Sequence, residues 1–201
     1  MTARLSFIAH AATEAQRHAA FPLDELITER ETARVGGLGR NIPKAEQIWS
    51  APEQRARQTS RMLGLSAMPA DGLRDCDYGR WRGRKMEEVQ SEDPQGFLAW
   101  LTDPKSAPHG GESIDLLIGR VGSWIDAQSA VKYTIAVTHP AVIRAALVYA
   151  LRLPSLNFWR FDIAPVTLTD LRLNRDVWTV RCSGCSLQAI RQEPEDGADI
   201  S

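Results

Sequence analysis

Short apolar runs of strand character alternate with segments of helical period along most of this chain, and that alternation restricts the fold more than any other feature. Residues 5–9 read as a buried first strand, residues 46–50 as a second closed by Ala51 and Pro52, and residues 133–138 as a third. Helical patterns occupy residues 53–63 after the second strand, 113–127 before the third and 140–151 after it. In the middle helix Ile114, Leu117, Ile118, Val121, Trp124 and Ile125 share one face, and Pro140 suits the first position of the last helix. Such alternation predicts parallel strands with helices on both faces. Residues 166–173 and 177–181, flanking Asn174, Arg175 and Asp176, instead predict an antiparallel hairpin added to the same sheet. The expected fold class is therefore α/β, a three-layer αβα sandwich around a mixed, mostly parallel sheet.

A chain of 201 residues fits one domain, here expected over residues 1–190. Residues 191–201 are acidic and poor in apolar side chains, so a flexible tail is expected there. With 24 basic and 25 acidic residues the net charge is −1, and no global field favours nucleic acid or an anionic membrane. The apolar stretch over residues 145–151 falls far short of the ~20 residues that cross a bilayer, and no charged-then-apolar leader opens the sequence, so a cytoplasmic location is expected. Three cysteines are too few for a disulfide framework. Cys182 and Cys185 have the spacing of half a zinc site, but no second knuckle or histidine pair completes four ligands, so no metal is expected.

In open α/β sheets ligands bind beyond the carboxyl ends of the parallel strands. The first strand here runs into His10, the second is followed within five residues by Arg55, and the third ends at His139. Two imidazoles and a guanidinium on one rim suit a tetrahedral oxyanion: arginine donates paired charge-assisted hydrogen bonds to phosphate, and an imidazole attacks phosphorus or donates to its oxygens. The helix opening at Pro140 adds its positive dipole end.

The same residues carry a resemblance. Ile8-Ala9-His10-Ala11-Ala12-Thr13 is similar to the Arg-His-Gly-x-Thr motif that opens the histidine phosphatase superfamily, the phosphoglycerate-mutase-like fold. Four later segments follow in the family's order. Residues 50–59, Ser-Ala-Pro-Glu-Gln-Arg-Ala-Arg-Gln-Thr, resemble its Ser-Ser-Pro-Leu-x-Arg-Ala-x-Gln-Thr stretch. Residues 73–83 resemble its Leu-x-Glu-x-x-x-Gly-x-Trp-x-Gly stretch, residues 110–113 its Gly-Gly-Glu-Ser, and residues 137–144 its Val-Ser-His-Gly-Gly-Val-Ile-Arg. Five motifs in order are far more specific than any one of them.

The resemblance implies a metal-independent phosphomonoester hydrolase acting on a small phosphorylated metabolite through a phosphohistidine, with no cofactor. His10 takes the nucleophile's place, Arg55 and His139 match phosphate-clamp positions, and Asp75 falls where the family carries the glutamate that protonates the leaving oxygen. Gln16 stands where an asparagine is commoner among phosphate ligands. The departures are specific. Ala9 replaces the arginine beside the nucleophile, removing charge-assisted bonds worth about 1.5–3 kcal/mol each. Ala11, Pro140 and Ala141 replace glycines. Arg17 is the candidate to reach into the space left by Ala9, His109 lies on a loop expected over the site as a substrate contact, and Glu112 is a second candidate acid. Rival readings are a non-catalytic phospho-ligand binding or regulatory protein on the same fold, and a phosphomutase. The expected partner is a small phosphorylated substrate or inorganic phosphate, with no nucleic acid and no membrane, and a homodimer is one option for the assembly. Substrate choice is expected to lie in residues 11–45 and 79–112.

Overall fold

The computed structural model describes residues 2–187, so the acidic segment 191–201 lies outside the described residues. Six strands form one sheet: β1 (Thr2–Ala9), β2 (Gln47–Ser50), β3 (Met68–Pro69), β4 (Tyr133–Thr138), β5 (Thr167–Asn174) and β6 (Val177–Ser186). Their spatial order is β3-β2-β4-β1-β5-β6. The four on the left are mutually parallel, and β5 and β6 add antiparallel pairs. The expected αβα sandwich with a mixed, mostly parallel sheet is what the chain forms.

The centre of the sheet is apolar on both sides because both sides are covered. Along β1, Leu5, Phe7 and Ala9 face one layer and Ile8 the other; along β4, Ala136 joins the first group while Ile135 and Val137 join the second. The first layer holds α6 (Ile114–Ala127) and α7 (Pro140–Ala150), whose buried faces include Leu117, Val121, Ile125, Val142, Ala146 and Leu147. The second is packed by Val35 from α2 (Glu29–Val35), with Met62 and Leu63 at the end of α3 (Gln54–Met62). Ser113 starts α6 by accepting the Leu116 amide at 3.3 Å, and Pro140 occupies the first turn of α7, where its missing N–H costs nothing.

Four features differ from the sequence-based expectation. β1 begins at Thr2, three residues earlier than its apolar run, because its N-terminal half pairs with β5 through Asn174 and Leu173. β3 is only two residues long, carries a proline and lies on the sheet edge, a pattern too short for periodicity to mark. The hairpin turn is the pair Arg175 and Asp176, with φ of 48° and 65°, so Asn174 belongs to β5. These positive values give the twist that a two-residue hairpin requires. Finally, the segment 79–112 holds two helices, α4 (Met86–Glu92) and α5 (Pro94–Thr102), the latter capped by Asp93. They enclose a separate aromatic cluster of Phe21, Trp81, Phe97 and Trp100, with Trp81 and Trp100 edge to face at 5.6 Å. That cluster anchors the segment beside the carboxyl end of the sheet.

Candidate active site

β1 and β4 are neighbours, so the residues that follow them are brought together whatever lies between in sequence. His10 extends the pairing of β1 by donating its amide to Thr138 at 2.8 Å. His139 is held extended by the following proline, with φ −102° and ψ 151°, and caps α7. The two imidazoles meet with centroids 5.1 Å apart at 65°. Both are sealed from solvent, at 2% and 0% exposure.

The ring nitrogens are not equivalent. Nδ1 of His10 lies 2.7 Å from the Ala11 carbonyl, which only accepts, so Nδ1 carries the hydrogen and Nε2 keeps its lone pair. Burial, then the charges of His139 and Arg55, lower the His10 pKa from 6.5 to about 3. The imidazole is therefore held neutral, with the Nε2 lone pair available, throughout the physiological range.

Arg55, the second residue of α3, spends its whole fork inside the site. Nε donates to Nδ1 of His139 at 3.2 Å, Nη1 to the Leu23 carbonyl at 2.6 Å, and Nη2 to Oδ2 of Asp75 at 2.6 Å. Asp75 lies just beyond a 3-10 turn (Asp71–Leu73), with its Oδ2 3.4 Å from Nδ1 of His139. Burial opposes its ionisation, but electrostatic attraction from His139 and Arg55 outweighs burial and holds its pKa below the usual carboxylate value. The sequence-predicted His10, Arg55, Asp75 and His139 are thus one contiguous cluster.

Two residues of the cluster carried no assigned role in the sequence. Glu53, the N-cap of α3, accepts from Nε2 of His139 at 2.8 Å through one oxygen and from the Asp75 amide at 3.0 Å through the other. Despite burial, these bonds and the His139 charge lower its pKa to about 2. Arg120 projects from α6 and pairs with Glu112 through two bonds of 2.8 and 2.7 Å. It also donates to the carbonyls of Gly72, Arg74 and Asp75, at 3.0, 3.1 and 3.3 Å, and so fixes the loop that presents Asp75. The signals were present but faint: Glu53 stands where the family pattern has leucine, and Arg120 is the only basic residue in a mostly apolar helix.

A cavity of about 600 Å³ opens above the cluster, lined by Glu53, Arg55 and Asp75 at its floor and by Arg74, Asp77, Arg82, Glu112, Leu116 and Arg120 around it. The imidazoles are not among its lining residues; His139 contacts the lining through Arg55 and Asp75. Glu112 is committed to Arg120, with Arg74 a further 3.6 Å away, whereas Asp75 touches Arg55 and His139 directly.

Gln16, Arg17 and His109 line no part of this cavity. Gln16 closes a capping box with Thr13 at the start of the four-residue α1 (Glu14–Arg17), which turns its amide back on its own backbone. Arg17 pairs with Glu14 at 3.1 Å with 59% of its side chain exposed. His109 is buried against Trp81 at 5.0 Å and accepts the Gly111 amide at 3.0 Å, so the aromatic cluster, not the cavity, holds its ring. Ala9 is wholly buried among Phe7 and the α6–α7 core. Among the described residues no three His, Cys, Asp or Glu side chains are grouped to hold a metal ion, and no helix is long and apolar enough to cross a membrane. Cys182 and Cys185 are free thiols on β6.

The sequence is 32% identical over 128 residues to a bifunctional protein of Mycobacterium tuberculosis, covering 59% of this chain and 35% of that protein, so the chain spans about a third of the length of this first relative. It is 27% identical to the adenosylcobalamin/alpha-ribazole phosphatase of Salmonella typhimurium, covering 80% of this chain and 85% of that one. Among solved structures, the alpha-ribazole phosphatase of Shigella flexneri superposes with a TM-score of 0.81 at 21% identity, covering 94% and 99% of the two chains, a likeness of fold. The sequence model described as histidine phosphatase superfamily (branch 1) matches residues 5–186, nearly the whole of the described chain. With that match over the sheet and every element of the site, the chain belongs to the histidine phosphatase superfamily.

Proposed function

We propose that this protein is a metal-independent phosphomonoester hydrolase acting on a small phosphorylated metabolite, with His10 as nucleophile, Asp75 as proton donor, and Arg55 and His139 as phosphate ligands. The observation that carries the reading is the hydrogen bond from Nδ1 of His10 to the Ala11 carbonyl, which leaves a lone pair on Nε2 beside His139 and Arg55. In the first step Nε2 attacks phosphorus, the bond from phosphorus to the alcohol oxygen breaks, and that oxygen takes a proton from Asp75. In the second, water attacks the phosphohistidine, gives its proton to the Asp75 carboxylate, and the phosphorus–nitrogen bond breaks.

The Arg55–Asp75 pair accounts for how one carboxyl is ionised before substrate arrives and protonated afterwards. A phosphoryl dianion competes for the Arg55 fork and adds a like charge beside Asp75, and both effects raise the Asp75 pKa. The names of relatives support the class of substrate: phosphatases of alpha-ribazole, of phosphoserine and of glucosyl-3-phosphoglycerate all match this chain.

A second reading, phosphate binding without turnover, is favoured by the burial of Ala9 in the core, since no cation projects from the position beside the nucleophile. An aryl phosphate assay from pH 5 to 8 on the wild type and His10→Ala separates the two. Turnover that falls at least a thousandfold in the variant supports the hydrolase; no turnover by wild type, with inorganic phosphate still bound, supports the binding protein.

A further inference from the structure

Glu53 is a member of the cluster for which the hydrolytic scheme has no use, and its contacts determine what His139 can offer to an anion. Nε2 of His139 points at the Glu53 carboxylate, which only accepts, so that nitrogen carries a hydrogen committed to Glu53. The opposite nitrogen, Nδ1, accepts from Nε of Arg55 and lies on the side of Asp75. A neutral His139 in this orientation therefore presents a lone pair, not a hydrogen, toward Arg55 and Asp75. It repels a phosphoryl oxygen placed there. Only the imidazolium, with hydrogens on both nitrogens, donates to phosphate from Nδ1 while keeping its bond to Glu53.

The groups facing His139 are the His10 ring at 5.1 Å, the Arg55 guanidinium, the Asp75 carboxylate and the Glu53 carboxylate. When phosphate occupies Arg55 the bond from Arg55 to Nδ1 is given up, and the carboxylate behind Nε2 stabilises a second proton on the ring. The pairing of a carboxylate with the far nitrogen of a working imidazole is a general way of fixing its orientation and charge. In this chain it supplies a cation within the same cluster whose neighbour, Ala9, supplies none.

We infer that Glu53 is a positioning residue that makes His139 bind phosphate as an imidazolium, in place of the positive charge absent at position 9. This inference rests on the reading of the cluster as a phosphate site. Burial and the bonds from His139 and the Asp75 amide leave Glu53 with a pKa of about 2, so the carboxylate is ionised wherever the enzyme is folded and working.

Glu53→Gln isolates the charge from the geometry, because the amide oxygen still accepts from Nε2. The first readout is the pH profile. Loss of activity on the alkaline side moves to lower pH by about one unit or more in the variant, and kcat/KM at pH 7.5 falls about tenfold. The second readout is ¹⁵N spectroscopy of the ring nitrogens in protein saturated with inorganic phosphate at pH 7. The chain has only four histidines, so His139 is assigned by comparison with His139→Gln. Two protonated nitrogens in the wild type and one in Glu53→Gln are the expected result. A neutral His139 ring in the phosphate-bound wild type, or an unshifted alkaline limb in Glu53→Gln, overturns the inference. Failure of the wild type to bind phosphate, or activity unaffected by His10→Ala, overturns the underlying phosphate-site reading instead.

Discussion

Asp75 is the residue on which the proposed proton transfer depends, and it is also a methylene shorter than the acid it stands for in the family pattern. Its position is fixed from three sides: Arg55 at one oxygen, the Cys76 amide at the other at 2.9 Å, and Glu53 on its backbone N–H. Asp75→Asn keeps these dimensions and removes the proton. The expected loss is about a hundredfold or more in kcat for alkyl phosphates, and far less for an aryl phosphate whose phenolate leaves unassisted; steady-state kinetics with both substrates checks it. Equal losses with both contradict the assignment. At this scale the sequence was informative about which residues meet: His10, Arg55 and His139 each follow a parallel strand, and the fold brings them together. The sequence was silent on Glu53 and Arg120, whose work depends on partners 86 and 8 residues away that only the folded chain brings together. Gln16, Arg17 and His109 lie near the motifs in sequence, yet their side chains are held by a helix cap, a surface ion pair and an aromatic cluster rather than by the His10–Arg55–Asp75–His139 cluster.

Among the elements, α6 does more than cover the sheet. Its single arginine reaches off the apolar face and pins the loop from Gly72 to Asp75 through three carbonyls, so the packing of the helix on the core and the placing of Asp75 are one event. Arg120→Met leaves the Glu112 carboxylate, 9% exposed, without its bidentate partner, and removing one member of a buried pair costs about 3 kcal/mol or more. Urea unfolding measures that loss, and Arg120→Met combined with Glu112→Gln recovers part of it. Activity falls in the single variant even under conditions where it remains folded. The helices and strands with the clearest apolar period were legible before the fold was known: β4, α6 and α7 match expectation to within one residue at their ends, while the second hairpin strand runs on to Ser186, five residues past its expected end. The elements that were not legible are short or sit at the periphery. β3 has two residues; α4 and α5 bury Val89, Phe97 and Trp100 into a cluster built largely of aromatic rings, and in α5 residues 97–101 are all apolar, so no period marks its buried face.

The whole molecule carries a charge cluster whose ionisation states are coupled to folding. His10 is held neutral with a pKa of about 3, while its unfolded value is 6.5, so between these values the unfolded chain binds the additional proton and stability declines as pH falls. Glu53, with a pKa of about 2 against 4.5, and Asp75, also depressed, add further losses in the same direction below pH 4.5. Urea midpoints are expected to fall steadily from pH 7 to pH 4, and His10→Ala reduces the proton uptake on unfolding at pH 5 by about one. A flat profile contradicts the neutral, buried His10. The layered architecture was readable because alternation of strand and helix admits few arrangements, and the same topology places residues 10 and 139 side by side. Nothing in composition or net charge carried that information.

The most direct test of a nucleophilic His10 is rapid quenching of the enzyme with isotopically labelled aryl phosphate during turnover. The account predicts a phosphoryl group on the protein that is stable to alkali, lost in acid, located at residue 10 and absent from His10→Ala. Rapid turnover with no trapped phosphoryl group, or the same label on the alanine variant, contradicts it.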